Sequence, residues 1–562
     1  MTDIRAYGIE PFGSVPSERQ LAHFEMKKAF FHFGVNTFTG MEWGNGTERE
    51  HLFHPSECNV EQWIDVIKQA GFDMAILTAK HHDGFCLWPS AYTEHSVQYS
   101  PYRGGKGDIV REFTDACHKY GIKVGLYLSP WDRNAPFWGT DEYSAFYAKQ
   151  LTELMENYGE IHEVWWDGAG SSETRYDWAL WAGIIREKQP TACIFGSMGA
   201  TPFVEMRWVG NERGAAGKTH YASIDAESLL IETPAELNVG KQGGDRYIPS
   251  ECDVSIRPGW FYHAGQDQAV KSASRLNRLW FESVGRNSIL LLNFPPDRRG
   301  LVHETDAKNA IRSHECISAM LETDLLTDAT VTASTTLRDD LCAQNLIGKN
   351  DAFYAASETT AVLNITLPRP ASFNVFTVSE VLEAGERVNA WRLEAMDDNQ
   401  AALLGEGTSV GHLRAVRIPL REYTHLRLTV TGIVPPVLRA LRAHLFIDAE
   451  EDGDEADSNN LMTRETANAE IRGKEAVLSF GGIYPFNVVS FKNRGESAYE
   501  ILAFNGTRYE SLCSGTAHDG VVTAHLPETV EGSYQIMIRC ETGFSCSGEF
   551  DVRLKKQAVS SQ

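Results

Sequence analysis

Cysteine is scarce in this chain: ten in 562 residues, none in a Cys-x-x-Cys pair. Cys58, Cys86, Cys117, Cys193 and Cys252 are scattered through mostly apolar settings typical of buried thiols. Cys540 and Cys546 stand near enough to pair, but nothing requires it. No run approaches the ~18 apolar residues of a membrane span. The opening Met1-Thr2-Asp3-Ile4-Arg5 lacks the apolar stretch of a secretory signal. A reduced, cytoplasmic protein is the expectation, although a chain trimmed of its leader would look the same. Basic residues are in deficit, 52 against 76 acidic, for a net charge of −24. That excess argues against nucleic acid or an anionic membrane as partner and favours neutral or weakly charged substrates. Tryptophan is absent after Trp391, and twelve of the 13 lie at or before Trp280. An aromatic-lined pocket therefore belongs in the N-terminal half.

The hydrophobic fraction of 42% and charged fraction of 23% are those of ordinary globular protein. Two to four domains are expected at this length. Short apolar runs read as buried strands at Ala29–Val35, Met74–Thr78, Lys123–Leu128 and around Val164. Further strands are expected at Ala192–Gly196, Met206–Gly210, Glu251–Ile256 and Ser288–Asn293. Amphipathic helices fall between most of them. One carries Trp63, Val66, Ile67 and Ala70 and stops at Gly71; another carries Ile109, Phe113, Ala116, Cys117 and Tyr120 and closes on Gly121. A helix from about Tyr176 to Lys188 and one from about Asp267 to Val284 continue the series. Near-continuous apolar strands alternating with helices mean a parallel sheet covered by helices. Eight strands in roughly 300 residues are within the span of a (β/α)8 barrel. The step between the fifth and sixth strands is too short for a crossover helix, so the barrel is expected to be incomplete there.

Past Pro295-Pro296-Asp297 the pattern changes to short alternating runs such as Leu426-Arg427-Leu428-Thr429-Val430, which read as an antiparallel sandwich. Residues 448–457 hold seven carboxylates. They resemble a calcium loop in part, but Asn459 stands where its closing glutamate belongs, and an acidic linker is the expectation. Strands at Val477–Phe480, Val488–Phe491, Ile501–Phe504, Tyr534–Ile538 and Phe550–Leu554 then form a second small β unit. The expected division is a barrel over 1–320, a β-sandwich over 321–447, a linker over 448–460 and a second β-sandwich over 461–562.

Barrels of this kind place their active-site groups at the C-terminal strand ends. Those positions hold His32, Lys80-His81-His82-Asp83, Tyr127, Trp165 with Asp167, and Asn211-Glu212; Trp260 follows the seventh strand. In Val164-Trp165-Trp166-Asp167-Gly168, strand alternation puts Trp165 and Asp167 on one face and Trp166 on the other. Each residue alone also has a bland reading: His32 and Tyr127 as core, the histidine pair as loop, Asp167 as a loop cap, Glu212 as a surface carboxylate beside Arg213. Their shared place at one end of one sheet favours function. No His-x-His or His-x-x-x-His spacing supports zinc, and no Gly-x-Ser-x-Gly elbow supports a serine triad in the barrel region. No metal or other cofactor is expected. Two carboxylates on different strands, among aromatics and neutral hydrogen-bonding groups, are the equipment of a glycosidase.

The runs His32-Phe33-Gly34, Glu42-Trp43-Gly44, Leu77-Thr78-Ala79-Lys80-His81-His82-Asp83-Gly84-Phe85, Gly125-Leu126-Tyr127-Leu128-Ser129 and Val164-Trp165-Trp166-Asp167-Gly168 resemble, in consistent order, the α-L-fucosidases of glycoside hydrolase family 29. The resemblance implies a retaining exo-glycosidase on an irregular barrel. It makes Asp167 the nucleophile and, from the similarity of Trp208-Val209-Gly210-Asn211-Glu212 to the members selective for α-1,3/1,4-fucosyl branches, Glu212 the acid/base. Glu163 and Glu173 are next in line for that second role. The implied sugar pocket is lined by His32, Glu42, Trp43, His81, His82, Tyr127, Trp165 and Trp260, and the partner is a fucosylated oligosaccharide. The C-terminal β units resemble accessory sandwiches, the last of them a carbohydrate-binding module. A silent fucose lectin, a metal-dependent barrel hydrolase and a glycosidase for a related sugar such as α-L-galactose stand as the alternatives.

Overall fold

The computed structural model describes residues 2–553 except 171–173, 197–199, 201, 227–233, 349–351, 398–399, 450–467, 480–485, 494–495, 505–508, 518–519, 531–534 and 542–549. Eight strands build its first sheet: β1 (Lys28–Phe31), β2 (Met74–Lys80), β3 (Lys123–Leu128), β4 (Glu163–Trp165), β5 (Cys193–Phe195), β6 (Arg207–Trp208), β7 (Ser250–Ser255) and β8 (Ile289–Asn293). Their order is β5-β4-β3-β2-β1-β8-β7-β6, and every pairing is parallel. One parallel bridge, Phe195 to Met206, joins the two ends. The sheet is thus a (β/α)8-type barrel, and the step expected to be incomplete is narrowed to that bridge, with no described helix between β5 and β6.

Helices that cover the barrel or fill its connections include α1 (Val60–Gln69), α2 (Ile109–Tyr120), α3 (Asp141–Asn157), α4 (Trp178–Lys188), α5 (Pro234–Val239), α6 (Ala273–Glu282) and α7 (Glu304–Glu322). The caps explain several of their limits. Asn59 and Asp108 accept backbone N–H groups at the starts of α1 and α2, and Gly121 ends α2 at φ 66°. The expected helix over about Asp267–Val284 is shorter. Val270 is extended and Ser272 caps a fresh start, so a 3-10 turn (Ala264–Ala269) precedes α6. A short antiparallel pair, Ser223–Ile224 with Arg246–Tyr247, was not anticipated. The buried Arg207 guanidinium ties that segment to the barrel by donating to the carbonyls of Tyr221 and Ala222, both at 2.8 Å.

Inside the barrel, polar and aromatic layers alternate. At the N-terminal end of the strands, the buried Lys28 ammonium lies between two carboxylates, Glu163 at 2.6 Å and Glu251. Burial opposes that charge, but the two anions outweigh it and raise the lysine's pKa. Above this layer Phe30, Tyr127, Trp165 and Phe195 pack together. Trp165 stacks on Phe195 at 3.8 Å between ring centres and donates its indole N–H to Glu251 at 3.0 Å. This floor fixes the height at which residues beyond the strand ends open to solvent.

The second half is antiparallel. Strands between Thr330 and His444 form one seven-stranded sheet. Its long strands, Thr360–Glu380 and Arg414–Gly432, shift register at Thr366/Ala371 and Phe373/Val375. Such irregularities bend a sheet, which wraps around Leu363, Ile365, Leu393, Leu426, Leu428 and Val430 as a β-sandwich. Between Asn468 and Arg553, five-stranded and three-stranded sheets share a core of Leu478, Val489, Phe491, Ile501, Ile538 and Val552. Residues 450–460 of the expected linker lie outside the described residues. Asp448, placed at its start, is instead docked on α6, accepting from Ser274 Oγ at 3.0 Å and Asn277 Nδ2 at 2.7 Å. Cys58, Cys86, Cys117, Cys193, Cys252, Cys316, Cys342 and Cys513 are free thiols. No described helix is long and apolar enough to cross a membrane.

Candidate active site

At the C-terminal mouth of the barrel a cavity is lined by Phe30, His32, Glu42, Trp43, His81, His82, Trp165, Asp167, Ala169, Glu212, Asp253 and Trp260. Asp167 lies two residues beyond β4 and Glu212 four beyond β6, so loops from opposite ends of the sheet bring two carboxyl groups into one space. The Asp167 side chain is 25% exposed. Tyr127 donates its hydroxyl to Asp167 Oδ2 at 3.0 Å, and the Ala169 N–H donates to Oδ1 at 2.8 Å. Glu212 is held up to a pKa of about 7. Burial is the largest cause, the negative charges of Asp167 and Glu42 add to it, and a hydrogen bond from Trp260 opposes it. The two carboxyl groups therefore have unlike surroundings: one is held by two donors beside solvent, the other is desolvated and facing anions.

Three histidines form one wall, with ring centres 5.5 Å apart for His32–His81 and 4.1 Å for His81–His82. Burial drives the His32 pKa down to about 3, against a hydrogen bond with Asn293. His81 is lowered by burial and by the neighbouring His82 and His32. His82 is lowered by burial too, against the pull of Asp167. Neutral imidazoles present donors and acceptors without adding charge. His82 pairs with Ser129 Oγ at 2.7 Å through Nδ1 and turns Nε2 toward Asp167 at 3.7 Å. The loops that carry these groups need glycine. Gly44 (φ +64°) and Gly84 (φ +84°) occupy left-handed backbone where an added Cβ would lie 2.7 Å from the Asp83 side chain or 2.5 Å from that of Asp132.

The structure sorts the other expected residues. Glu42 reaches across to the segment after β7, accepting from the Trp260 N–H at 2.8 Å and meeting His263 Nε2 at 2.8 Å. Trp260 covers His32 at 5.0 Å between ring centres. Trp43 is 41% exposed at the rim, edge-on to His82 and to Trp131. Tyr127 is fully buried and does not line the cavity; it acts from beneath, on Asp167. Trp165 and Trp166 do face opposite ways, Trp165 into the barrel and Trp166 against Trp178 and Trp181 of α4. Lys80 points away from the cavity and pairs with Asp132 at 2.8 Å and Gln150 at 3.0 Å. Glu163 is consumed by Lys28 at the other end of the barrel, and Glu173 lies outside the described residues.

Phe30, Ala169 and Asp253 of the lining, and Trp131 at the rim, lie outside the set expected from sequence. Asp253 sits within β7, between Cys252 and Val254, rather than past its end, and Trp131 follows β3 without a distinguishing motif. Among the described residues, His23, Glu163 and Glu251 have metal-ligand spacing, but the Lys28 ammonium sits between the two carboxylates. A Gly-x-Ser-x-Gly run occurs at 407–411, in the sandwich. Its Ser409 is buried and accepts from the His220 N–H at 2.9 Å and from Arg414 at 2.7 Å, an arrangement unlike an exposed nucleophile.

The α-L-fucosidase family model matches residues 16–312. α-L-Fucosidase 1 of Arabidopsis thaliana is 39% identical over 437 residues, 75% of this chain and 85% of that protein. A family 29 glycoside hydrolase from an unknown rumen bacterium superposes with a TM-score of 0.71 at 32% identity, over 97% of this chain and all of that one. A Ruminococcus gnavus family 29 fucosidase solved with fucose superposes with a TM-score of 0.72 at 30% identity, over 78% of this chain and 96% of that one. With a barrel, a paired-carboxyl cavity and matches spanning most of its length, the chain belongs to the α-L-fucosidases of glycoside hydrolase family 29.

Proposed function

We propose that this enzyme is a retaining exo-α-L-fucosidase that removes terminal α-1,3/1,4-linked L-fucose from branched, Lewis-type oligosaccharides by double displacement. The observation that carries the reading is the pairing of Asp167 with a Glu212 held near pKa 7 in one cavity. Asp167 attacks the anomeric carbon as Glu212 gives its proton to the departing oxygen; water that Glu212 deprotonates then cleaves the fucosyl ester. The proton balance follows from the surroundings. The charge on Asp167 helps keep Glu212 protonated before attack, and that charge disappears when the ester forms. Glu212 then gives up its proton more readily and serves as base. The neutral histidines and Glu42 hold the sugar hydroxyls, while Trp43, Trp165 and Trp260 supply apolar surface for the ring and its methyl group. Tyr127 holds the nucleophile. No step calls for a metal or other cofactor.

The branch preference rests on the Asn211-Glu212 context. Residues 461–562 are proposed as a separate accessory β-sandwich that binds carbohydrate, following the sandwich of 321–447. The direct test is kinetic. Asp167→Asn should abolish release of nitrophenol from an α-L-fucoside. Glu212→Ala should regain activity with azide, and branched trisaccharides should be cleaved in preference to the aryl fucoside. Activity retained by Asp167→Asn, or absence of azide rescue, would overturn the assignments. Equal or faster cleavage of the simple fucoside would overturn the branch preference.

A further inference from the structure

The inward face of β7 carries three polar side chains at every second position, Glu251, Asp253 and Ser255. The first and last are satisfied: Glu251 meets Lys28 and the Trp165 indole, and Ser255 Oγ accepts from Asn293 Nδ2 at 2.9 Å. Asp253, between them, is different. It is 5% exposed, it lines the cavity beside Asp167 and Glu212, and its Oδ1 has no hydrogen-bond partner among the described residues. No lysine or arginine is among the described residues lining that cavity. A buried carboxyl with an unpaired oxygen and no cation is costly unless it is neutral and something else completes its bonding.

We propose that Asp253 is a third functional carboxyl of this site, kept as the neutral acid so that it hydrogen-bonds a hydroxyl of the bound sugar from the barrel floor. The groups facing it are all acidic or neutral. Glu212 and Asp167 approach from the loops after β6 and β4, Glu251 lies below on the same strand, and the His32 and His81 imidazoles stand across the cavity. Burial first, then the charges of Glu212 and Asp167, hold Asp253 protonated well above the usual carboxylic range. A neutral acid offers one donor and keeps acceptor capacity, which a carboxylate does not. Asp253 thus contributes to sugar recognition without adding a further anion beside the nucleophile.

This inference rests on the cavity being the fucosyl site, and the test separates the two. Inhibition constants are measured for free L-fucose and its monodeoxy analogues against the wild type, Asp253→Leu and Asp253→Asn, using an aryl α-L-fucoside as substrate. One deoxy analogue should bind the wild type on the order of tenfold to a hundredfold more weakly than L-fucose. Asp253→Leu should lose that same factor for L-fucose but not for that analogue. Asp253→Asn, which keeps a donor in the same shape, should stay within several-fold of the wild type. If Asp253→Leu does not fold, the Asn variant decides. Wild-type affinity for L-fucose should fall at alkaline pH with one more proton lost than in Asp253→Asn, because raising the pH ionises the acid. Unchanged L-fucose binding by Asp253→Leu, an equal loss for every analogue, or identical pH profiles would overturn the role of Asp253. Failure of L-fucose to compete in the wild type would instead strike the cavity assignment itself.

Discussion

Glu212 concentrates the chemistry of single residues. Its pKa near 7 reflects burial first and then the anions Asp167 and Glu42. In the proposed mechanism protonated Glu212 is the form that starts the reaction, so kcat/KM should be lost as pH rises through about 7. Removing an anion stabilises the ionised form. Glu42→Gln should therefore move that alkaline limb to lower pH, and an unmoved or raised limb would contradict the electrostatic account. Tyr127 makes a second prediction. Its hydroxyl donates to Asp167, and a hydrogen bond to a charged group contributes about 1.5–3 kcal/mol. Tyr127→Phe should lower kcat about 10- to 100-fold with KM little changed, as read from steady-state kinetics. Much of the cavity lining is legible in sequence because His32, His81, His82 and Asp167 sit just past strand ends. Asp253 is not. A carboxyl in the middle of a strand, flanked on its own face by the polar Glu251 and Ser255, carries no positional signal, and only the packing shows which neighbours are satisfied. Strand alternation gives the face of Tyr127 but not its depth, and that depth places it beneath the lining rather than in it.

At the scale of elements, the strands owe their positions to a buried ionic layer. Lys28, Glu163 and Glu251 come from β1, β4 and β7, and the lysine links all three. Removing one partner of such a group leaves uncompensated charge and typically costs about 3–5 kcal/mol. Lys28→Met should lower the melting temperature clearly in a thermal scan. Replacing all three by apolar residues of similar volume should cost less than the single change, and a larger loss in the triple variant would contradict this view of the layer. The apolar strand runs and glycine-stopped helices were readable because period and cap residues are local. The break between the 3-10 turn and α6 was missed because the apolar pattern runs on, and it is the Ser272 cap that resets the helix. The pair Ser223–Ile224 and Arg246–Tyr247 was missed because two-residue strands have no period. They are held by tertiary bonds such as those from Arg207.

For the whole molecule, the paired carboxyl groups, the histidine wall and the aromatic rim all come from the barrel. Residues 468–553 bury a core of their own. If the last β unit is the separate accessory module proposed above, a chain ending at 449 should retain kcat/KM on an aryl fucoside while losing retention on glycan-coated supports. Loss of aryl-fucosidase activity on that cut, with the remainder folded by circular dichroism, would show the unit to be part of the site. The measurement that tests the central claim most directly is trapping of the covalent intermediate. Incubation with a 2-deoxy-2-fluoro-α-L-fucosyl fluoride, followed by peptide mass spectrometry, should find one fucosyl adduct per chain, on Asp167. An adduct on another residue, or turnover with inverted product and no adduct, would contradict it.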